Sequence, residues 1–238
     1  MEFRLGNRLF HIQLNGLNVS RRLEYQILLR YLDLQGHERL LDVACGDGYW
    51  TARLAKLTRE VIGFDFNRHR LLQAQAKAGG SIAGLVSSDA HSLPFRKGAF
   101  DAVVGICVLE HFQNDLVALQ ELRRVLKPGG KLAMTVDSFS LPGITELEKA
   151  RHAKTFSVAQ WYRREDLSAK LEKAGFRVIR SKYILKSFPA VMFYRMNLIN
   201  HKLGYLLFPL AYPMSLMGEA LSRNDQYGYK LAVSAVAI

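Results

Sequence analysis

Short apolar runs that alternate with helical patterns constrain this chain most. "RLLDVA", "EVIGFD", "SIAGLVSSD", "FDAVVGICV" and "GKLAMTVDS" read as strands, nearly continuous in apolar residues and closing towards polar or acidic ones. Between them lie "YWTARLAKLTR", "NRHRLLQAQAKAG" and "NDLVALQELRRVLKPGG", which read as helices. The last carries Leu116, Leu119, Leu122, Val125 and Leu126 on one face and is expected to stop at Pro128 and Gly129. Further on, "REDLSAKLEKAG" reads as a helix, and "FRVIRSKYIL" and "YKLAVSAVAI" as two more strands. Strands apolar on both faces and separated by helices require a parallel sheet with right-handed crossovers and helices on both sides. The expected fold is therefore α/β, a doubly wound, Rossmann-like sheet. A chain of 238 residues, 49% hydrophobic and without internal repeats, is long enough for one such core.

Two segments stand outside the alternation. Met1 to Leu34 contains the helical stretch "SRRLEYQILLRYL", with Ser20 as candidate N-cap. Lys186 to Gln226 separates the last two strands and is unusually apolar and aromatic for a connection. The expected division is a cap segment at 1–34, the core at 35–185, an apolar insertion at 186–226 and the final core strand at 227–238. Arg4, Asn7, Arg8 and His11 interrupt the N-terminal apolar residues, so no signal-peptide core is expected there. Two cysteines, Cys45 and Cys107, cannot make a disulfide framework, which points to a reducing cytoplasm. The formal charge of +12 is spread along the chain. It suits an anionic partner (nucleic acid, membrane surface or acidic substrate) or simply a solvated basic surface.

The first strand leads directly into "LLDVACGDGYW", Leu40 to Trp50. A glycine turn between a strand and a helix lets a ligand approach the backbone where a side chain would block it. A dinucleotide fingerprint would need its third glycine at Thr51, and no Gly-Lys-Ser/Thr follows for a phosphate loop. What remains is acid-x-small-x-Gly-x-Gly: Asp42, Ala44, Gly46 and Gly48.

That pattern resembles the first motif of the class I S-adenosylmethionine-dependent methyltransferases. "VIGFDF", "SSDAHSLPF", "FDAVVGICVLEHF", "LRRVLKPGGKLAM" and "EDLSAKLEKAGF" are similar to later segments of that family, in the same order. The resemblance covers about residues 35 to 182 plus the final strand, and is nearest to the small-molecule group that includes quinone-biosynthesis methyltransferases. It implies seven strands, mostly parallel with an antiparallel last one, and S-adenosylmethionine as cofactor. It implies that Asp65 holds the cofactor ribose, that Asp89 and Ala90 contact adenine, and that Phe66 and Leu93 flank it. Asp42 would meet the cofactor ammonium or brace the turn of Ala44, Cys45, Gly46 and Gly48. Cys107 would offer its backbone carbonyl. Neither cysteine is expected to be a nucleophile; a small apolar filler is the simpler role. The departure is Ala44, where glycine is commoner.

A sulfonium methyl is already activated, so alignment and water exclusion supply much of the rate, though an acidic acceptor still needs a base. Glu110 and His111 follow the fourth strand at the expected mouth. Either they move a proton or they order the loop and the cofactor. Asp137, Ser138, His152, Trp161 and Tyr162 are further candidates on the substrate side. No carboxylate or histidine spacing suggests a metal. Nucleic acid is disfavoured as substrate, because "CVLEHF" stands where base-amine methyltransferases of this fold carry an Asn/Asp/Ser-Pro-Pro-aromatic motif. A non-catalytic interaction protein on the same fold is the other alternative. The insertion, with Phe188, Met192, Phe193, Tyr194, Leu203, Tyr205, Leu206, Leu207 and Phe208, is too short and too interrupted by Pro209 and Pro213 to span a bilayer. It is expected to wall a lipophilic acceptor pocket or touch a membrane surface, with extra core packing or a dimer contact as the alternatives. Oligomeric state has no signature in the sequence.

Overall fold

The computed structural model describes residues 16–238, apart from the side chain of His201. Residues 1–15 of the expected cap segment lie outside the described residues. The elements run α1 (Val19–Leu32), β1 (Arg39–Val43), α2 (Thr51–Leu54), β2 (Glu60–Asp65), α3 (Arg68–Ala78), β3 (Gly84–Ser87) and β4 (Phe100–Ile106). After a 3-10 turn at Leu109–His111 come α4 (Asp115–Val125), β5 (Leu126–Asp137), α5 (Glu146–Phe156), α6 (Arg164–Lys173) and β6 (Phe176–Ile184). The chain then forms α7 (Phe188–Ile199), α8 (His201–Leu206), α9 (Phe208–Leu221) and β7 (Lys230–Ala237).

The strands form one sheet in the order β3-β2-β1-β4-β5-β7-β6. All ladders are parallel except the two made by β7, which is inserted antiparallel between β5 and β6. The expected seven-stranded, mostly parallel sheet is the one observed. Strand order reverses between β1 and β4, so their carboxyl ends part and leave a crevice, the place where open α/β sheets bind ligands. One face of the sheet is covered by α4 and α6, through Leu119, Leu122, Leu167 and Leu171 packed on Val103, Leu132 and Val233. On the other face α1 lays Leu28 and Leu32 on Leu40, Val104 and Ala133. A third cluster joins α7 and α9 to α1 and to the loop after β5, through Phe193, Phe208, Val19, Leu23 and Phe139.

Three local readings change. Asn18 caps α1 by accepting the Arg21 N–H at 3.1 Å, while Ser20 lies inside the helix and donates to Glu24 at 2.7 Å. The helix expected after the glycine turn is cut short at Leu54, because the chain tightens into three-residue turns, such as Leu57 N–H to the Leu54 carbonyl. Helix α4 ends at Val125 rather than at Pro128. Leu126 is extended (ψ 142) and pairs with Phe100 of β4, so the residues before the proline join the sheet.

The insertion is helical. Pro189 and Pro209 fall in the first turns of α7 and α9, where a missing N–H costs nothing. Glu219 of α9 reaches back to accept the backbone N–H groups of Lys186 and Ser187, at 2.8 and 2.9 Å, and so ties the start of α7 to its neighbour. No described helix is long and apolar enough to cross a membrane.

Candidate active site

The turn after β1 depends on left-handed backbone. Ala44, Gly46 and Gly48 have φ of 51, 58 and 73°. A Cβ on Gly46 would stand 2.6 Å from the Arg70 guanidinium, and one on Gly48 would stand 2.8 Å from Ala74 Cβ. Gly48 is therefore required by close approach as well as by φ, and Gly46 by φ, since the flexible end of Arg70 could move aside. Asp65, at the end of β2, accepts the Gly46 N–H through Oδ2 and the Asn67 N–H through Oδ1, each at 2.8 Å. Asp42 is buried and accepts the Thr51 hydroxyl at 2.6 Å. Burial, with the Asp65 charge nearby, pushes its pKa up to about 7.

A cavity of about 540 Å³ opens at this turn. Asp42, Ala44, Cys45 and Gly46 line one side, and Cys107, Glu110 and His111 line the end of β4. Tyr194, Leu198 and Tyr205, from α7 and α8, form a wall on the cap side. Gly48, Asp65, Phe66, Asp89 and Ala90 are not in the lining. Asp65 stands behind the turn, one hydrogen bond from Gly46. Phe66 is 81% exposed, whereas Ala90 and Leu93 are core residues beside Ile62 and Phe64. Asp89 accepts the His91 N–H at 2.9 Å and is half-exposed.

Of the five substrate-side candidates, Asp137 and His152 line the cavity. Tyr162 instead donates to Asp115 at 2.7 Å, Ser138 to Ser140 at 3.0 Å, and Trp161 packs on Phe139. His111 is exposed, with Nδ1 3.2 Å from the Ser157 carbonyl oxygen. Glu110 is fully buried, and neither of its carboxyl oxygens has a partner among the described residues. Burial and the neighbouring Asp137 push its pKa up to about 8.

The cavity floor holds charge that sequence reasoning missed. Lys230 donates to Asp137 and, at 3.0 Å, to Cys107 Sγ. Cys107 donates to Glu24 at 2.7 Å, and Thr135 donates to the same Glu24 oxygen at 2.8 Å. His152 Nε2 lies 3.0 Å from Asp137 Oδ2. Burial alone would raise Asp137, but the Lys230 ammonium and the hydrogen bonds from His152 and Lys230 hold it well below the carboxylate range. Burial and Glu24 drive the Cys107 thiol up, so it is a neutral donor. It is thus part of a polar network rather than an apolar filler, whereas Cys45 does fill space against Gly63. Cys107 Sγ and the carboxyls of Glu110 and Asp137 lie within 4.8 Å of one another, a spacing a metal could use. Here the Lys230 ammonium supplies the positive charge instead. A signal for these residues existed. Glu24 sits among the apolar positions of a helix, and Lys230 opens a strand apolar enough to be buried on both faces.

With this geometry, residues 41–134 match a family described as a methyltransferase domain. That stretch runs from β1 into β5 and takes in the glycine turn, Asp65 and Cys107, so it is this part of the chain that is similar to a methyltransferase domain. A demethylmenaquinone methyltransferase of Staphylococcus aureus is 44% identical over 96 residues, 39% of this chain and 40% of that protein. The match thus spans about two-fifths of the length of the curated relative. An S-adenosylmethionine-dependent methyltransferase from Mesorhizobium loti superposes with a TM-score of 0.66 at 16% identity, over 94% of this chain and 99% of that one. The cyclase SpnF superposes with a TM-score of 0.64 at 20% identity, over 91% of this chain and 80% of that one. At those identities the structures speak for the fold, and the cyclase shows that the fold also serves another reaction.

Proposed function

We propose that this chain transfers a methyl group from S-adenosylmethionine to a small, lipophilic acceptor. The observation that carries the reading is the juxtaposition of the Asp42–Gly48 turn with the cavity beside it, at the switch point of the sheet. The turn suits that cofactor on two counts. Its glycines leave bare backbone, and Asp65 uses one lone pair on each carboxylate oxygen, which leaves acceptor capacity for a ribose diol. Asp42, near neutrality in pKa, would ionise on meeting an ammonium. When bound, the cofactor supplies a methyl already activated by its sulfonium. The residues of this chain bind, align and exclude water.

Proton handling is assigned to His152 rather than His111. In the neutral ring, the ionised Asp137 makes His152 Nε2 the donor of their 3.0 Å hydrogen bond, and Nδ1 carries the lone pair. Nδ1 has no partner among the described residues. Asp137, held ionised by Lys230, orients the ring and stabilises it once protonated. His111 keeps an orienting role through Ser157. The lipophilic character of the acceptor rests on the aromatic and aliphatic cap wall. The name of the curated relative, a demethylmenaquinone methyltransferase, fits such an acceptor.

Two measurements test the reading. S-adenosylhomocysteine should bind the purified protein at one site by calorimetry. Labelled S-adenosylmethionine with cell extract should then place label in the organic-soluble fraction. A folded protein that ignores S-adenosylhomocysteine refutes the cofactor; label confined to water-soluble or nucleic-acid fractions refutes the acceptor class.

A further inference from the structure

The cap helices are apolar on the side they should not need to be. Among the described residues, seventeen large hydrophobic side chains are exposed, and nine of them lie within residues 188–221. On α7 the outward positions are Phe188, Met192, Arg195 and Ile199, spaced as one helical stripe. On α9 they include Leu210, Met214, Met217 and Leu221, again one stripe. The opposite sides of these helices, Ala190, Phe193, Phe208 and Ala211, are already buried against the body. A helix apolar on both sides belongs in a protein interior or against lipid. Ile199 and Leu206 are 87% and 75% exposed, so the interior is not where they sit.

Charge selects the occupant. Residues 188–221 contain one acid, Glu219, which is buried and bonded to the start of α7. Their exposed cations are Arg195, which pairs with Glu148 at 3.2 Å, and Lys202, which has no acidic partner among the described residues and so carries the uncompensated charge. The chain as a whole carries +12. Apolar stripes with cations, no exposed acid and a strongly basic body complement an anionic bilayer. The same helices present Tyr194, Asn197, Leu198 and Tyr205 to the cavity.

We infer that the α7–α9 cap docks on an anionic membrane surface, and that the acceptor passes from the bilayer between these helices into the cavity. The access route rests on the methyltransferase reading; the docking does not. The helices lie in the interface and do not cross it, in keeping with their lengths.

Co-sedimentation of the full chain with vesicles tests this, using phosphatidylcholine alone and phosphatidylcholine with phosphatidylglycerol. Binding is expected on the phosphatidylglycerol vesicles and should weaken with salt. The variant Ile199→Glu/Leu206→Glu/Met217→Glu, at exposed positions away from the cavity lining, should lose at least about tenfold in partitioning. Lys202→Glu should lose about tenfold on phosphatidylglycerol vesicles and little on phosphatidylcholine. Light scattering and S-adenosylhomocysteine titration on the same preparations separate the alternatives. No vesicle binding, or equal binding by wild type and triple variant, overturns the proposal. So does a wild-type dimer that ignores vesicles and becomes a monomer in the triple variant, which would make the face a self-contact. Vesicle binding by a protein that does not bind S-adenosylhomocysteine would leave the docking standing and remove the methyltransferase reading alone.

Discussion

Asp65 Oδ2 accepts the Gly46 N–H at 2.8 Å, so a carboxylate at the end of the second strand fixes the backbone of the turn that follows the first. The two residues are nineteen apart in the chain, and the bond is buried. Asp65 therefore holds the shape of the turn, and under the proposed function its remaining lone pairs would also accept the cofactor ribose.

This double role makes a graded prediction. Asp65→Ala should weaken S-adenosylhomocysteine binding by about 2–3 kcal/mol, since charge-assisted bonds are lost and a buried N–H is orphaned. Asp65→Asn keeps a carbonyl for the Gly46 N–H and should recover part of the loss. Calorimetric titration of both variants, with circular dichroism to confirm folding, is the check. Equal losses would mean that charge, and not the brace, is what matters.

Ala44 holds φ 51° where only glycine is free of strain. A left-handed alanine costs about 1–2 kcal/mol, and glycine gives back part of that through the flexibility of the unfolded chain. Ala44→Gly should therefore stabilise the fold by a few tenths to about 1 kcal/mol. Urea denaturation measures it; a lower midpoint would show that the Ala44 methyl packs usefully.

Asp42 gives stability a pH slope. Its folded pKa, about 7, is above the ordinary aspartate value of 3.8. Between those values the native state holds a proton that the unfolded chain has lost. Stability from this group is thus fully present below about pH 4 and is lost as pH rises through 7. Asp42→Asn should flatten the fall between pH 4 and 7, read by denaturation at several pH values. Glu110, raised from 4.5 to about 8, adds a slope of the same sign.

The histidines should separate in kinetics. His152→Gln should cut kcat by about two orders of magnitude and leave S-adenosylhomocysteine affinity unchanged. It should also remove the limb of the pH–rate profile that reports the base. His111→Asn should lower affinity and rate together and modestly. If the pH profile moves with His111 and not with His152, the assignment of the base is reversed.

Lys230 and Asp137 form a buried pair, and Lys230→Met would take the ammonium from Asp137, while Glu24 keeps Arg21 at 3.4 Å. Breaking such a pair costs about 3–5 kcal/mol. Asp137 is depressed below 3.8, so its contribution is present above that value and lost as pH falls beneath it. The double variant Lys230→Met/Asp137→Leu should recover much of the loss. Chemical denaturation of the three variants tests the coupling.

What the sequence made legible was what local chemistry demands. Gly46 and Gly48 were legible as a bare backbone turn from the residues themselves, and Asp65 was singled out at its strand end through the family resemblance. The parallel sheet followed from apolar strands separated by helices, whereas the antiparallel last strand came through the family resemblance and the strand order only from the structure. Lys230, Glu24 and the Asp137–His152 contact were hidden because each depends on register between distant segments. Asp137 faces Lys230 only through the β5–β7 ladder. Phe66 and Leu93 shared one expectation, yet one is open to solvent and the other in the core. An apolar residue next to a strand end does not announce which way the chain will turn it.

The insertion of β7 between β5 and β6 also sets an order of events during synthesis. Among the described residues strand β6 pairs with no strand but β7, so until β7 is available it has no place in the sheet. Strand β5 meanwhile shows an open edge, which a nascent chain must shield from its neighbours. Only when residues 230–237 emerge can both edges close, and Lys230 arrives in the same event to neutralise the carboxylates already gathered at the site. Docking of this strand thus closes the sheet and completes the floor of the cavity in one step.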